Sequence, residues 1–197
     1  MNLSRTRATP AGPPARTIRA APGGIGRRSS PAAERVSDAL RRATGGFVEQ
    51  RRRTAALSLA SIAGLGVVAA YQHGLLRHLP EPPLPFLDAD RVDASGEAYA
   101  YLRTPDASLG IASSAITLVL AGMGDDRRTS QQPWVPLALA AKVVLDAGFG
   151  AFLTLEQLTK HRRLCSWCLV AAGASVASLP QVLPEARAAL QSCRRSG

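Results

Sequence analysis

The chain has 197 residues, a formal net charge of +10 and a hydrophobic fraction of 46%. This length suits one domain with extensions, and three cysteines are too few for a disulfide-stapled secreted scaffold. Most arginines lie in the N-terminal segment or beside apolar blocks, and residues 1 to 46 contain no aromatic side chain. This placement indicates a membrane surface and argues against nucleic-acid binding.

The N-terminal segment, residues 1 to 30, is rich in Pro, Gly, Ala and Arg and contains no acidic residue. We predict a disordered basic arm that is attracted to anionic lipid, with an organelle transit peptide as the alternative. Ser30 followed by Pro31 is typical of a helix start. Residues 31–53 are therefore predicted to contain a short helix, either on the lipid headgroups or as a solvated linker.

Four apolar blocks follow the triple arginine Arg51-Arg52-Arg53. The first is long enough to cross a bilayer as a helix, and the second is short but continuous. We predict an all-α, polytopic membrane four-helix bundle over residues 54–184, with a basic tail at 185–197. Pro180 and Pro184 are expected to end the last helix. Small residues in the first block are expected to allow close helix packing, namely Ala60, Ser61, Gly64 and Gly66. The blocks are Ala55 to Leu76, Ala107 to Met123, Trp134 to Leu158 and Leu164 to Leu183.

The third block contains Lys142 and Asp146, which are four residues apart. On a helix this spacing brings the two side chains together on one face. We predict an ion pair directed at the bundle and not at lipid, and we favour a structural role for it over a functional one.

The fourth block opens with two cysteines, Cys165 and Cys168, just after the basic segment Lys160-His161-Arg162-Arg163. Their spacing allows a disulfide, and a helix start near Leu164 would favour the thiolate of Cys165 as the nucleophile. The alternatives are a structural disulfide, two inert packed cysteines or half of a zinc site. Zinc needs about four ligands, and no other His or Cys lies at a recognised spacing.

The arginines beside the apolar blocks also predict orientation. Arg51-Arg52-Arg53 place the N-terminus in the cytoplasm, so the acidic connection at 77–107 and the two cysteines lie on the outer side. The bases in the turn at 159–163 oppose this arrangement, whereas Arg194 and Arg195 agree with it.

This pattern resembles the vitamin K epoxide reductase family, including its bacterial members that supply disulfides to exported proteins. The resemblance covers about residues 55 to 183. It depends on Cys165-Ser166-Trp167-Cys168 at the start of the last helix, and on the loop Asp88 to Ser95 followed by Pro105 and Gly110. It implies a quinone-dependent thiol-disulfide oxidoreductase with Cys165 and Cys168 as the redox centre.

The resemblance also implies the ligand and its contacts. The acceptor would be a quinone of the menaquinone, ubiquinone or phylloquinone type, with Ser95 near its pocket. Trp167 is a weaker candidate for stacking on the ring, because an interfacial tryptophan needs no ligand. Cys168, placed deeper in the bundle, would engage the ring, and Cys165 would then close the disulfide.

One departure from the family concerns its second cysteine pair, which relays electrons through the outer loop. Ala89 stands where the first of these cysteines is expected, and residues 1 to 164 contain no cysteine. A thioredoxin-like donor would then act directly on Cys165, which is expected to lie nearer the surface. The alternative is a non-enzymatic membrane scaffold or sensor with a structural disulfide. The expected location is a bacterial inner membrane, or else an organelle membrane.

Overall fold

The computed structural model describes residues 30–196, and helices dominate this part of the chain. The prediction for the basic arm lies outside the described residues. The helices are α1 (Pro31–Arg42), α2 (Val48–Gln72), α3 (Ala89–Asp93), α4 (Asp106–Gly122), α5 (Arg128–Gln131), α6 (Trp134–Glu156) and α7 (Ser166–Ser196). A 3-10 turn (Gly96–Tyr99) precedes α4, and a π-helical turn (Gln157–His161) extends α6.

Four of these helices form the predicted bundle. α7 packs against α2 and α6, α2 packs against α4, and α4 also contacts α6. α2, α7 and α6 with its π-helical extension are long and apolar enough to cross a membrane, whereas α4 is a shorter apolar helix of 17 residues. The prediction of an all-α membrane protein is confirmed.

The first membrane helix begins earlier than the apolar pattern predicts. α2 starts at Val48, so the triple arginine lies inside the helix. Arg51 is 3% exposed, and its guanidinium donates to four backbone carbonyls of residues 121–125 at 2.8 to 3.2 Å. The last carbonyls of a helix have no partner within the helix. Arg51 therefore stabilises the end of α4, a role beyond that of a topogenic charge.

A second buried arginine binds the same end of α4. Arg128 donates to the carbonyls of Leu120 and Met123 at 2.9 and 2.7 Å. Its other nitrogens bind both carboxylate oxygens of Glu185 on α7, at 2.6 and 2.5 Å. Both side chains are buried, so this bidentate pair joins the turn after α4 to the last helix.

The last helix does not end where the prolines predict. α7 continues through Pro180 and Pro184 to Ser196, so much of the predicted basic tail is helical. Each proline removes one backbone hydrogen bond and disfavours the helix by about 3 kcal/mol. Residues beyond the prolines are nevertheless packed, because Glu185 binds Arg128 and Ala189 is fully buried. This packing offsets the local cost, and the predicted helix end is wrong.

Only part of the predicted small-residue surface lies between helices. A Cβ atom on Gly64 would come within 3.3 Å of the Trp167 carbonyl, and the Ser61 hydroxyl is 2.9 Å from that of Ser114. In contrast, Gly66 faces open space and Ala60 is exposed. The pattern therefore identified the helix but overestimated the width of its packed face.

The predicted ion pair inside the membrane region is confirmed. Lys142 Nζ lies 2.5 and 2.6 Å from the Asp146 carboxylate oxygens. The Ser113 hydroxyl accepts from Lys142 at 2.7 Å and donates to Asp146 at 2.8 Å, while Thr117 donates to Asp146 at 3.0 Å. Since Ser113 and Thr117 belong to α4, the charges face the bundle and link α6 to α4.

Candidate functional site

The two closely spaced cysteines lie at the start of α7, where the 77–105 connection covers that end of the bundle. Leu87 and Leu164 form a short parallel pairing. The Asp88 N–H donates to the Leu164 carbonyl, and the Leu164 N–H donates to the Phe86 carbonyl, both at 3.0 Å. Backbone hydrogen bonds therefore attach the connection directly to the segment that carries the cysteines.

Glu81 strengthens this attachment by accepting two backbone hydrogen bonds. One of its carboxylate oxygens accepts from the Ser166 N–H at 2.6 Å, and the other accepts from the Ala89 N–H at 2.5 Å. A carboxylate at the first amides of α7 suits the positive end of that helix. Ala89 itself is buried, so the position expected for a relay cysteine serves packing here.

Trp167 takes part in the same attachment. Its indole N–H donates to the Pro80 carbonyl at 2.9 Å, and Trp167 does not line the cavity beside the cysteines. Its ring is thus placed against the connection. The expectation that Trp167 stacks on a bound ring has no support from this geometry.

Cys165 immediately precedes α7 and acts as its N-cap. Its sulfur accepts from the Cys168 N–H at 3.2 Å, and its own N–H donates to Gln157 Oε1 at 3.1 Å. Cys165 is fully buried, whereas Cys168 is half-buried. The prediction that Cys165 lies nearer the surface is therefore wrong, because the 77–105 connection covers it.

The environment of Cys165 opposes a stable thiolate. The hydrogen bond with the Cys168 side chain lowers the pKa of Cys165, but burial and the nearby Asp93 carboxylate together raise that pKa above its ordinary value. The predicted stabilisation by the helix start is present, since the Cys168 N–H reaches the sulfur. Burial and the neighbouring negative charge outweigh it.

A cavity of about 460 Å³ lies beside Cys168, between α2, α4, α6 and α7. This volume lies within the range of small-molecule sites. Its wall is mostly apolar. It includes the aromatic rings of Tyr101 and Phe149, which pack edge to face with their centroids 5.9 Å apart. Both rings are partly exposed, at 44% and 51%, so they form a rim through which the cavity opens to the surface of the bundle. Ser95 also lines the cavity, and its contact with a ligand stays a prediction.

Asp93, the last residue of α3, also lines the cavity and was not recognised from the sequence. The Cys168 thiol donates to Asp93 Oδ1 at 3.5 Å, and the ligand atoms of Asp93, Cys165 and Cys168 lie within 4.8 Å of one another. Burial of the carboxyl group raises the pKa of Asp93 to about 6. Three such groups do not complete the four-ligand shell of a structural zinc site.

A family comparison agrees with this arrangement. The model of the vitamin K epoxide reductase family matches residues 53–183, which is more than half of the chain. The chain belongs to the vitamin K epoxide reductase family. No curated protein and no solved structure gives a significant match to it.

The matched region of this vitamin K epoxide reductase family member contains the four bundle helices up to the middle of α7, the covering connection and both cysteines. Membership confirms the resemblance found in the sequence and places the protein among membrane oxidoreductases. The cavity fits the group that the family implies. A planar ring could contact Cys168 on one side and the aromatic rim on another, within a mostly apolar wall.

Proposed function

We propose that this protein transfers two electrons from the Cys165–Cys168 dithiol to a quinone. The observation that carries the proposal is the position of Cys168. Its side chain lies in the wall of an apolar cavity of about 460 Å³, and its sulfur lies within 4.8 Å of the Cys165 sulfur. A small side-chain rotation can close that distance to a disulfide.

The two cysteines have different tasks in this scheme. Cys168 contacts the bound ring, because its side chain is the one that lines the cavity. Cys165, which is fully buried, would then form the S–S bond with Cys168, while two electrons pass from the dithiol to the quinone and both thiol protons are released. A quinone, when bound, accepts two electrons and two protons.

Reduction of the disulfide requires an electron donor that bypasses the family's loop cysteines. We propose a thioredoxin-like donor whose thiol attacks the disulfide directly. Because the segment at 86–88 is bonded to Leu164 beside Cys165, this connection must move aside before a donor can reach the Cys165 sulfur. The cysteines lie at the opposite end of the bundle from Arg51 and Arg128, which supports an outer, oxidising location in the proposed topology.

The proposal is tested with purified full-length protein in detergent, reduced by a small dithiol and then freed of it. We expect an added short-chain quinone to oxidise Cys165 and Cys168, as measured by loss of thiol labelling. A Cys193→Ser variant serves as the matched control, because Cys193 is exposed on the distant end of α7. Oxidation at the same rate with and without quinone would instead favour a scaffold or sensor with an ordinary disulfide.

Partial filling of the cavity gives an independent prediction. Leu153 on α6 lines the cavity, so Leu153→Trp is expected to raise the KM for quinone by about tenfold, which corresponds to the loss of about 1.4 kcal/mol of binding. Steady-state quinone reduction measures the effect. The control is Leu155→Trp on the same helix, at a residue that is 59% exposed. Equal KM values for the two variants would contradict a ring site in this cavity.

A further inference from the structure

Asp93 is an unusual carboxyl group for its surroundings. It is 1% exposed, and its Oδ2 atom has no hydrogen-bond partner among the described residues. In the part of the chain that the structure describes, no lysine, arginine or histidine forms an ion pair with it. A buried carboxyl group with no ion-pair partner and one unsatisfied oxygen is costly to the fold. Its position therefore calls for an explanation other than stability.

Both cysteine thiols lie close to this carboxyl group, and the Cys168 thiol is the one that opens onto the cavity. The Cys168 Sγ donates to Asp93 Oδ1 at 3.5 Å, and Asp93 lines the same cavity as Cys168. Two sets of hydrogen bonds hold α3, and therefore Asp93, beside the cavity. The Asp88 side chain caps α3 by accepting from the Arg91 N–H, and residues 86–88 are hydrogen-bonded to the backbone of Leu164. A general base must lie within hydrogen-bond reach of the proton it takes, and contacts often shorten when a ligand binds.

We propose that Asp93 is a further catalytic residue, which accepts the proton of the Cys168 thiol as that sulfur reacts and passes it into the cavity. This inference rests on the proposed function, since it assigns the path of one of the two protons released by the dithiol. Asp93 Oδ2 has no hydrogen-bond partner among the described residues, and Asp93 lines the cavity, so this oxygen is available to carry the proton towards an acceptor there.

In this step the dithiol is oxidised and the quinone is reduced. The S–H bond of Cys168 breaks while an O–H bond forms on Asp93, and the sulfur of Cys165 then forms the S–S bond and loses its own proton. Two electrons and two protons leave the dithiol, and the quinone of the proposed function takes up both. Asp93 becomes a carboxylate again when it gives up its proton, so it is regenerated in each turnover.

The charge state of Asp93 then controls the reaction near neutral pH. With a pKa of about 6, Asp93 can accept a proton only above that value, so the rate should rise as pH increases through about 6. The carboxyl group lies near other titratable groups, whose charges also act on this pH profile. They are Cys165 just before α7, Cys168 on α7, Asp106 on α4, Tyr71 on α2, Glu81 in the connection and Glu97 beside the cavity.

The test uses full-length protein with Cys193→Ser as the background, and compares Asp93→Asn with Asp93→Glu. One measurement is the rate at which a short-chain quinone oxidises the reduced protein, from about pH 5 to about pH 8. The other is the rate at which iodoacetamide alkylates Cys168 in the same pH range without any quinone, determined by mass spectrometry. Asp88→Asn is the matched control, because asparagine also caps helices and Asp88 does not line the cavity.

We expect Asp93→Asn to slow oxidation by quinone about 100-fold and to remove the rise near pH 6 from both measurements. Asp93→Glu is expected to restore the rise, and Asp88→Asn to behave like the background protein. An Asp93→Asn variant with unchanged pH profiles, or one that reacts slowly with quinone but shows an unaltered alkylation profile, would overturn the inference. If the background protein is not oxidised by quinone at all, the proposed function fails, whereas the quinone-free alkylation profile still tests the pairing of Asp93 with Cys168.

Discussion

Serine at position 168 is expected to lower quinone reduction to the uncatalysed rate. Cys168 is the cysteine in the cavity wall, so Cys168→Ser leaves no sulfur to contact the ring. Cys165→Ser is expected to abolish turnover as well, because no disulfide can then form between the two positions. Steady-state quinone reduction with a small dithiol as electron donor measures both losses.

The third cysteine provides the control for this prediction. Cys193 is exposed near the end of α7, and Cys193→Ser should retain the full rate. The two active-site variants should also differ in thiol labelling, since half-buried Cys168 remains available in Cys165→Ser, whereas Cys165 in Cys168→Ser is fully buried. Sustained turnover by Cys168→Ser would remove this cysteine from the mechanism.

Loss of the buried ion pair at the other end of the bundle should have the largest effect on stability. Glu185→Gln removes the charge that both nitrogens of Arg128 contact, and it leaves a guanidinium that is 1% exposed without a counterion. Breaking one partner of a buried pair typically costs about 3 to 5 kcal/mol. The free energy of unfolding in detergent, from a denaturant titration, is the measurement.

An exposed ion pair on α2 serves for comparison. Glu49 contacts Arg53 at 3.2 Å, and both side chains are more than half exposed. Glu49→Gln is therefore expected to change the free energy of unfolding by less than about 1 kcal/mol. Similar effects of Glu49→Gln and Glu185→Gln would show that burial does not strengthen the second pair.

The sequence predicted those features that depend on local pattern. Apolar length identified the four bundle helices, and the spacing of Lys142 and Asp146 predicted their ion pair, because both signals come from residues that are neighbours on one helix. The spacing of Cys165 and Cys168 likewise indicated a cysteine pair, which lies at the end of the bundle beside the cavity. The family match is consistent with these interpretations.

Features that depend on contacts between residues far apart in the sequence could not be predicted from local patterns. Arg51 looked like a topogenic charge, whereas its guanidinium, like that of Arg128, binds carbonyls at the end of α4. The relative burial of Cys165 and Cys168 depends on the connection that folds over α7, and nothing in their local sequence reports it. Asp93 was one of several acidic residues in a polar loop, and only its contact with Cys168 on α7 distinguishes it from Asp88 and Asp90.

The most direct test of the central claim is the stoichiometry of a single turnover. Reduced full-length protein is mixed with a slight excess of short-chain quinone without oxygen, and quinol, free thiols and disulfides are then counted by absorbance and mass spectrometry. We predict one quinol for every two thiols lost, with the new disulfide joining Cys165 to Cys168. Quinol formation that leaves both thiols intact, or a Cys165–Cys168 disulfide that forms without any quinol, would contradict the proposed transfer.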